Sequence, residues 1–496
     1  MNFVFRVDSS EKIGSGHVMR CLTLADKLKY TGINCTFLCE RITQSAREAV
    51  MISGHSLKIF PEEYSSENIS TTSGLDNPLK WLSSNAVDWL VVDHYKIGAE
   101  WERAVSKLIP DVRILAIDDL ADRAHHCDLL LDVMPARTRA DYKVLVDENT
   151  KCLLGLEYAL LRAEFSALRD KQGEPRNMPL RRVKILVTLG GGDNEAALVE
   201  VLEAVCELRN KHDLDLTVIG KQLSGRLLES LPHDLIWIEQ TSQMSRYMAD
   251  CDLIICAAGG TSWERCCLGL PAVVLTIAEN QSPNARAIEN AGAGTCVPTE
   301  RSEIARGISE ILEDPSGYAI MSENAWKLCD GKGADRVVKE ILGQSMSLVD
   351  ATLEDAEFVF DTRYSGQAYR FYKNPVMPDY ETHMPWFEAA LVSDRYRLYC
   401  VELGREKIAH VRFDLEPGIE DRAEIGIAMA PDFRGKGLSV SALGSAINHA
   451  SMTGISKLDA EVHRENIASR KLFEKAGFEL TRDDKDAFLG YQWIKK

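Results

Sequence analysis

Residues 3–28, FVFRVDSSEKIGSGHVMRCLTLADKL, pass from a short apolar run through a glycine-containing turn into a segment with helical periodicity. The run 3–7 predicts a buried strand, and Val18, Cys21, Leu22, Leu24, Ala25 and Leu28 recur near the 3.6-residue period of a helix. Gly14 and Gly16, between the two, permit a tight turn and close approach of the backbone to a ligand. Further short apolar runs at 34–39, 88–92, 113–117 and 128–131 are separated by helical segments. That alternation predicts a parallel sheet covered on both faces. Asp93, Asp118, Asp119 and Asp132 sit at the ends of these runs, where ligands bind in such sheets.

The pattern restarts at 183–189 (VKILVTL), with strands expected at 215–219, 253–257 and 272–277. The stretch between, LRDKQGEPRNMPLRR at 168–182, is polar, contains two prolines and reads as an interlobe linker. Residues 331–347 close the second lobe. From about 348 the pattern becomes a mixed or antiparallel one, with strands at 398–402, 407–413, 423–429 and 457–462 and helices at 437–450 and 466–476. The expected domains are 1–167, 168–346 and 347–496, in keeping with ~100–200 residues per domain.

A composition of 45% hydrophobic and 27% charged residues suits a soluble globular chain with ordinary cores. The net charge of −17 disfavours both nucleic acid and an anionic membrane as partners. Thirteen cysteines, an odd number without paired CxxC motifs, suit free thiols in a reducing cytoplasm, and no four-ligand metal set appears. The opening MNFVFRVDSS lacks the features of a secretion signal, and no apolar run reaches the ~18 residues of a membrane span.

His17 falls at the start of the first helix, where the positive end of the helix dipole favours an uncharged imidazole able to accept a proton. Capping the helix or binding phosphate are its alternative roles. Asp8, Asp93, Asp118 and Asp119 are candidates to assist it. In the second lobe, Gly190-Gly191-Gly192-Asp193 follows a strand, as does Ala258-Gly259-Gly260-Thr261-Ser262-Trp263-Glu264. Backbone N–H groups at such a turn can hold a diphosphate. Glu264 can accept both hydroxyls of a ribose or simply cap its helix. Asn280 and Gln281 offer amides suited to sugar hydroxyls or to a turn.

The segments RVDSSEKIGSGHVMRCLTLA (6–25), VVDHY (91–95), AIDDLADR (116–123), AAGGTSWERCCLG (257–269) and AENQ (278–281) fall in order. Together, over residues 1–345, they resemble the UDP-2,4-diacetamido-2,4,6-trideoxy-β-L-altropyranose hydrolases of pseudaminic acid synthesis. The resemblance implies a two-lobed GT-B architecture of two Rossmann-like domains. It also implies water attack at C1 of a UDP-linked diamino-trideoxy sugar, with no metal required. His17 matches the catalytic histidine of that family. Gly259, Gly260, Thr261, Ser262 and Glu264 match its UDP-binding part, and Tyr95 and Gln281 match positions facing the sugar.

At 434–439, Arg434-Gly435-Lys436-Gly437-Leu438-Ser439 joins a strand to a helix. NIASRKLFEKAGF follows at 466–478. This pair resembles the two signatures of the GNAT N-acetyltransferases, an α+β fold that uses acetyl-CoA. The likeness covers about 348–496. It implies that Arg434, Gly435, Lys436, Gly437, Ser439, Asn466 and Ser469 bind the cosubstrate. Many such enzymes carry a Tyr that protonates the leaving thiolate where this chain has Phe473, which cannot do so. Glu424 is the candidate base, with His410 and His463 as alternatives. His383-Met384-Pro385-Trp386-Phe387 resembles a substrate-side helix of nucleotide-sugar acetyltransferases, or supplies core aromatics. The expected whole is a bifunctional enzyme that N-acetylates a 4-amino UDP-sugar and hydrolyses the diacetamido product. A GT-B glycosyltransferase and a nucleotide-sugar binding protein with an acetyl-CoA-sensing domain are the rival readings.

Overall fold

The apolar run that opens the chain is strand β1 (Asn2–Val7), buried from Phe3 to Val7. In this computed structural model the described residues are 1–10, 14–60, 78–179, 181–190, 194–223, 234–483 and 487–495, without the side chains of Asn280 and Gln367. Beside β1 lie β2 (Asn34–Cys39), β3 (Ser56–Ile59), β4 (Trp89–Asp93), β5 (Arg113–Ile117), β6 (Leu129–Asp132) and β7 (Lys151–Leu154). They form a seven-stranded sheet of order β3-β2-β1-β4-β5-β6-β7, with every pair parallel. Both β4 and β6 are buried along their whole length, as strands covered on both faces must be. The helix Gly16–Tyr30 buries Val18, Cys21, Leu22, Leu24, Ala25 and Leu28. Strand order reverses between β1 and β4, so the loops after these two strands open into the crevice at the switch point.

A second parallel sheet contains β8 (Val183–Thr188), β9 (Leu214–Ile219), β10 (Ile236–Ile238), β11 (Leu253–Ala257), β12 (Ala272–Leu275) and β13 (Thr295–Val297). Its order is β10-β9-β8-β11-β12-β13. The reversal here lies between β8 and β11, and β11 precedes the Gly259-Gly260 turn. These two sheets are the lobes of a GT-B fold.

The stretch 168–182 departs from the linker expectation. Ala163–Gln172 is a helix, and Phe165 belongs to the second lobe's core with Ile254, Cys266 and Ile288. The Arg169 guanidinium stacks 3.7 Å over the Trp326 ring and donates to the carbonyls of Cys267, Trp326 and Cys329. Arg176 donates to the carbonyls of Met248, Cys251 and Leu268. The polar residues therefore close orphan carbonyls of the second lobe instead of facing solvent.

The third sheet comprises β14 (Met346–Asp350), β15 (Tyr396–Leu403), β16 (Glu406–Leu415), β17 (Arg422–Met429), β18 (Lys457–His463), β19 (Glu479–Arg482) and β20 (Phe488–Ile494). Its order is β14-β15-β16-β17-β18-β20-β19. The pair β17 and β18 is parallel, while the others are antiparallel. The first two sheets lie in one compact unit, Asn2–Lys29 with Asn34–Val337, and the third in another, Val338–Lys496 with Met1 and Tyr30–Ile33. No helix among the described residues is long and apolar enough to cross a membrane.

Candidate active sites

His17 occupies the first turn of its helix and is 9% exposed. Its Nδ1 lies 2.7 Å from Asp93 Oδ1, at the end of β4. An unprotonated Nδ1 would set two lone pairs against each other, so Nδ1 carries the proton and donates it to the carboxylate. The tautomer leaves the lone pair on Nε2, which makes no hydrogen bond among the described residues. Of the four candidate acids, Asp93 is therefore the partner of His17.

Arg20, one helical turn further on, donates from Nε to Asp93 Oδ2 and from Nη2 to Asp93 Oδ1, both at 2.6 Å. Nη2 also lies 3.0 Å from the imidazole Nδ1. Burial raises the Asp93 carboxyl, but Arg20 and His17 outweigh it and hold the group well below the usual carboxylate range. The same guanidinium reaches Asp119 Oδ2 at 3.2 Å. Tyr95 donates to that oxygen at 3.3 Å and sets its ring edge-on to His17 at 4.8 Å. Burial and Asp119 push the Tyr95 phenol up, so it stays protonated. Asp118 serves the backbone instead. It accepts from Leu120 and Ala121 N–H, Arg123 and Tyr142. Asp8 pairs with the buried Arg6 and accepts the N–H groups of Glu40 and Arg41.

Gly14 adopts the left-handed φ of 76° that the turn requires. Neither it nor Gly16 has an atom within 4 Å of an added Cβ. The same open space surrounds Gly259 and Gly260 after β11. Ser262 departs from the ligand-binding expectation. Its side chain is fully buried, its hydroxyl donates to Ala257 O at 3.2 Å, and its N–H to Gly259 O. It closes the turn, leaving Gly260 and Thr261 to present backbone donors. Glu264 accepts from Arg162 at 3.1 Å, and burial raises its carboxyl despite that cation. Gln281 uses its side-chain oxygen to close its own loop on Ile277 N–H. Gly191, Gly192 and Asp193 lie outside the described residues, as does the side chain of Asn280. Asn284, not singled out from sequence, donates to Ala258 O at 3.0 Å and braces the glycine turn from behind.

In the second unit, Gly435 and Gly437 take φ of 76° and 75°, with nothing near an added Cβ. The N–H groups from Gly435 to Ser441 have no protein acceptor among the described residues, whereas Ala442 begins the helical ladder on Leu438 O. A run of free donors entering the helix Ser439–Met452 is an anion cradle. Arg434 departs from the expected cosubstrate contact. Its guanidinium donates to the carbonyls of Thr362, Ser365 and Met429, and so ties the loop down. Lys436 lies 5.2 Å over the Phe433 ring. Asn466 caps the helix Ile467–Lys475 through Ser469 N–H.

β17 pairs with β18 only from Arg422 to Glu424, although both strands continue. Glu424 thus stands on the last rung before the strands part. Burial raises its carboxyl, helped by Glu461 and Asp414 and opposed by Lys373. His410 donates from Nδ1 to Tyr399 O, and burial with nearby Arg363 pushes it down to about 3. It is therefore neutral and a poor base. His463 Nδ1 accepts Glu465 N–H, and its ring lies between Phe371 and Phe488. His383 is enclosed by Phe360, Tyr364, Tyr380, Trp386 and Phe387. Phe473 is buried against Phe478 and Tyr491. Among the described residues no cluster of His, Cys, Asp and Glu has the form of a metal site.

Residues 346–479 match the acetyltransferase (GNAT) domain family, and residues 185–341 match the glycosyltransferase family 28 C-terminal domain. Acetyl-CoA is the cosubstrate of a GNAT domain, and the free loop donors and parted strands fit it. The chain is homologous to the UDP-2,4-diacetamido-2,4,6-trideoxy-β-L-altropyranose hydrolase of Campylobacter jejuni, 31% identical over 39% of this chain and 61% of that one. A spore coat polysaccharide biosynthesis protein of Bacillus subtilis is 26% identical over 66% of this chain and 94% of its own. An uncharacterized protein of Methanocaldococcus jannaschii matches end to end, 24% identical over 100% of this chain and 99% of its own.

Proposed function

We propose that the first unit hydrolyses the bond between C1 of a UDP-linked diacetamido-trideoxy sugar and its diphosphate. The carrying observation is the His17–Asp93 pair at 2.7 Å. His17 Nε2 takes a proton from water as the water oxygen bonds to C1. The bond from C1 to the diphosphate oxygen breaks, and UDP leaves with the electron pair. Asp93 fixes the tautomer and balances the imidazolium that forms. Gly259, Gly260 and Thr261 receive the departing diphosphate, and Glu264 the ribose. Tyr95, and the amides of Asn280 and Gln281, serve the sugar.

The second unit, in the same reading, N-acetylates the 4-amino UDP-sugar that precedes the hydrolase substrate. The amine attacks the thioester carbonyl of acetyl-CoA, the C–S bond breaks, and the CoA thiolate leaves with the electron pair. Gly435, Lys436, Gly437 and Ser439 hold its pyrophosphate by backbone donors, and Asn466 and Ser469 frame the neighbouring turn. Glu424 takes the amine proton. A cytoplasmic setting follows from the metabolites used.

Incubation with the UDP-4-amino-sugar and acetyl-CoA tests both halves. Free CoA and free UDP are expected. His17→Ala should abolish UDP release alone, whereas Gly437→Asp should abolish CoA release, and UDP release with it for want of the diacetamido product, while leaving hydrolysis of added UDP-diacetamido sugar intact. Loss of both activities from either change, each assayed on its own substrate, would refute independent sites, and UDP release that depends on a sugar acceptor would make the first unit a transferase.

A further inference from the structure

In the second unit, the Lys373 ammonium pairs with Glu461 where the sheet opens. Glu424 on β17 faces Asp414 of β16 and Asp459 of β18, and beyond that rung β17 and β18 part. Side chains two residues apart on a strand share a face, so Glu461 stands with Glu424 on the splayed part of β18. Three of these four carboxylates have an arginine of the sheet itself. Asp414 is held by Arg412, Asp459 by Arg422, and Glu461 by Arg482, whose Nη2 donates to Oε1 at 2.6 Å. Glu424 makes no hydrogen bond or ion pair among the described residues. A negative charge is thus left over at the mouth of the gap, and the ammonium that balances it comes from Lys373.

Lys373 does not belong to the sheet. Residues 373–378 lie in no helix or strand. They follow the short helix Ser365–Phe371, and Phe371 rests 5.5 Å from His463, the next residue after Glu461 on the same face of β18. Tyr372 anchors the chain just before Lys373 by donating to Arg363 O at 2.9 Å. The Lys373 side chain is 65% exposed and that of Glu461 20%. The ammonium can therefore leave for water, and another can reach the carboxylate, without any element unfolding. Arg482 keeps Oε1 throughout, so Oε2 is the oxygen that exchanges its partner. An exposed lysine pair of this kind is weak, and the carboxylate that it masks lies beside the parted strands that fit acetyl-CoA.

The geometry points to Glu461 as the residue that binds the acceptor amine of the second unit in its ammonium form, with Lys373 holding that place until the amine arrives. The inference rests on the acetyltransferase reading and deepens it. An ammonium has three donors and no acceptor, and its bond to a carboxylate is roughly twice as strong as a neutral one. Once bound, it lies beside Glu424, whose carboxyl feels both Glu461 and Lys373. There it gives up its proton before it attacks the thioester. The acetylated product is neutral, so its ion pair is lost and Lys373 returns to Glu461. That exchange favours release of the product over the substrate.

The test adds Lys373→Ala or Glu461→Gln to the full chain carrying His17→Ala, which leaves the acetamido product unconsumed. CoA release is measured with the UDP-4-amino-sugar varied, with acetyl-CoA varied, and with the neutral 4-acetamido product added as inhibitor. Lys373→Ala should lower KM for the amino sugar about two- to fivefold, the worth of an exposed ion pair. Glu461→Gln should raise it at least ~10-fold, the worth of a hydrogen bond to a charged group. In both variants KM for acetyl-CoA and inhibition by the acetamido product should stay unchanged. The proposal is overturned if Lys373→Ala raises KM for the amino sugar or leaves it unmoved. It is likewise overturned if either variant shifts the amino and acetamido sugars alike, or if Glu461→Gln lowers kcat with KM unmoved. Should the amino sugar elicit no CoA release, the sugar reading fails, and the same KM comparison is made with spermidine and with a peptide bearing a free N-terminus. CoA release with none of the three overturns this proposal as well.

Discussion

His17 acts through the company it keeps. Asp93 imposes the tautomer, and Arg20 keeps Asp93 ionised. Asp93→Asn preserves the shape but offers no fixed charge and permits the opposite tautomer. It should lower kcat for UDP release about 100-fold or more, with a much smaller change in KM, as steady-state kinetics would reveal. A near-normal kcat would remove Asp93 from the mechanism. In the second unit the raised carboxyl of Glu424 has the opposite consequence. As a base it must be deprotonated, so the acid limb of CoA release should lie above the ~4.3 of an ordinary glutamate. Glu424→Gln should remove that limb and most of the rate, and an unchanged pH profile would exclude it as the base.

At the scale of an element, the loop between β17 and the helix Ser439–Met452 combines two opposed needs. Gly435 and Gly437 must leave their N–H groups bare, yet bare backbone wanders unless something holds it. Arg434 supplies the hold through the carbonyls of Thr362, Ser365 and Met429. Lysine has one charged centre where arginine has a planar fork, and cannot reach all three. Arg434→Lys should therefore destabilise the second unit by about 1–3 kcal/mol and raise KM for acetyl-CoA. A change in KM with the melting transition unmoved would return Arg434 to direct contact with the cosubstrate. The linker stretch follows the same logic, with Arg169 and Arg176 closing carbonyls of the second lobe.

For the whole molecule, acid separates the two units. Burial pushes His410 down to about 3 and His383 to about 4, against ~6.5 in an unfolded chain. Between those limits the unfolded state binds protons that the folded state refuses. The second unit accordingly keeps its full stability above about pH 6.5 and loses it steadily as pH falls. In the first unit, Asp8 and Asp93 are held below the usual range, so the stability they contribute is present above about pH 3.9 and lost only below it. Calorimetry from about pH 7 to 4 should show the second unit's transition moving down well ahead of the first. His383→Phe should flatten that slope, and equal slopes in both variants would contradict the assignment.

The inner strands of the first two sheets and β15 to β18 of the third were legible because their apolar residues repeat with the period of the element, and burial enforces that period locally; β14, β19 and β20 escaped the reading. The ends β3, β7, β10 and β13 were not, since short edge strands such as IWI at 236–238 carry too few residues to show one. The glycine turns and His17 were legible because turn geometry and a helix start are also local. Which of four aspartates serves His17 was decided only in three dimensions, by parallel pairing of β1 with β4 across an interval of the chain. The duties of Arg434 and Ser262 likewise belong to the tertiary structure. A polar side chain looks the same in sequence whether it meets a ligand or a carbonyl, and only packing determines which lies within reach.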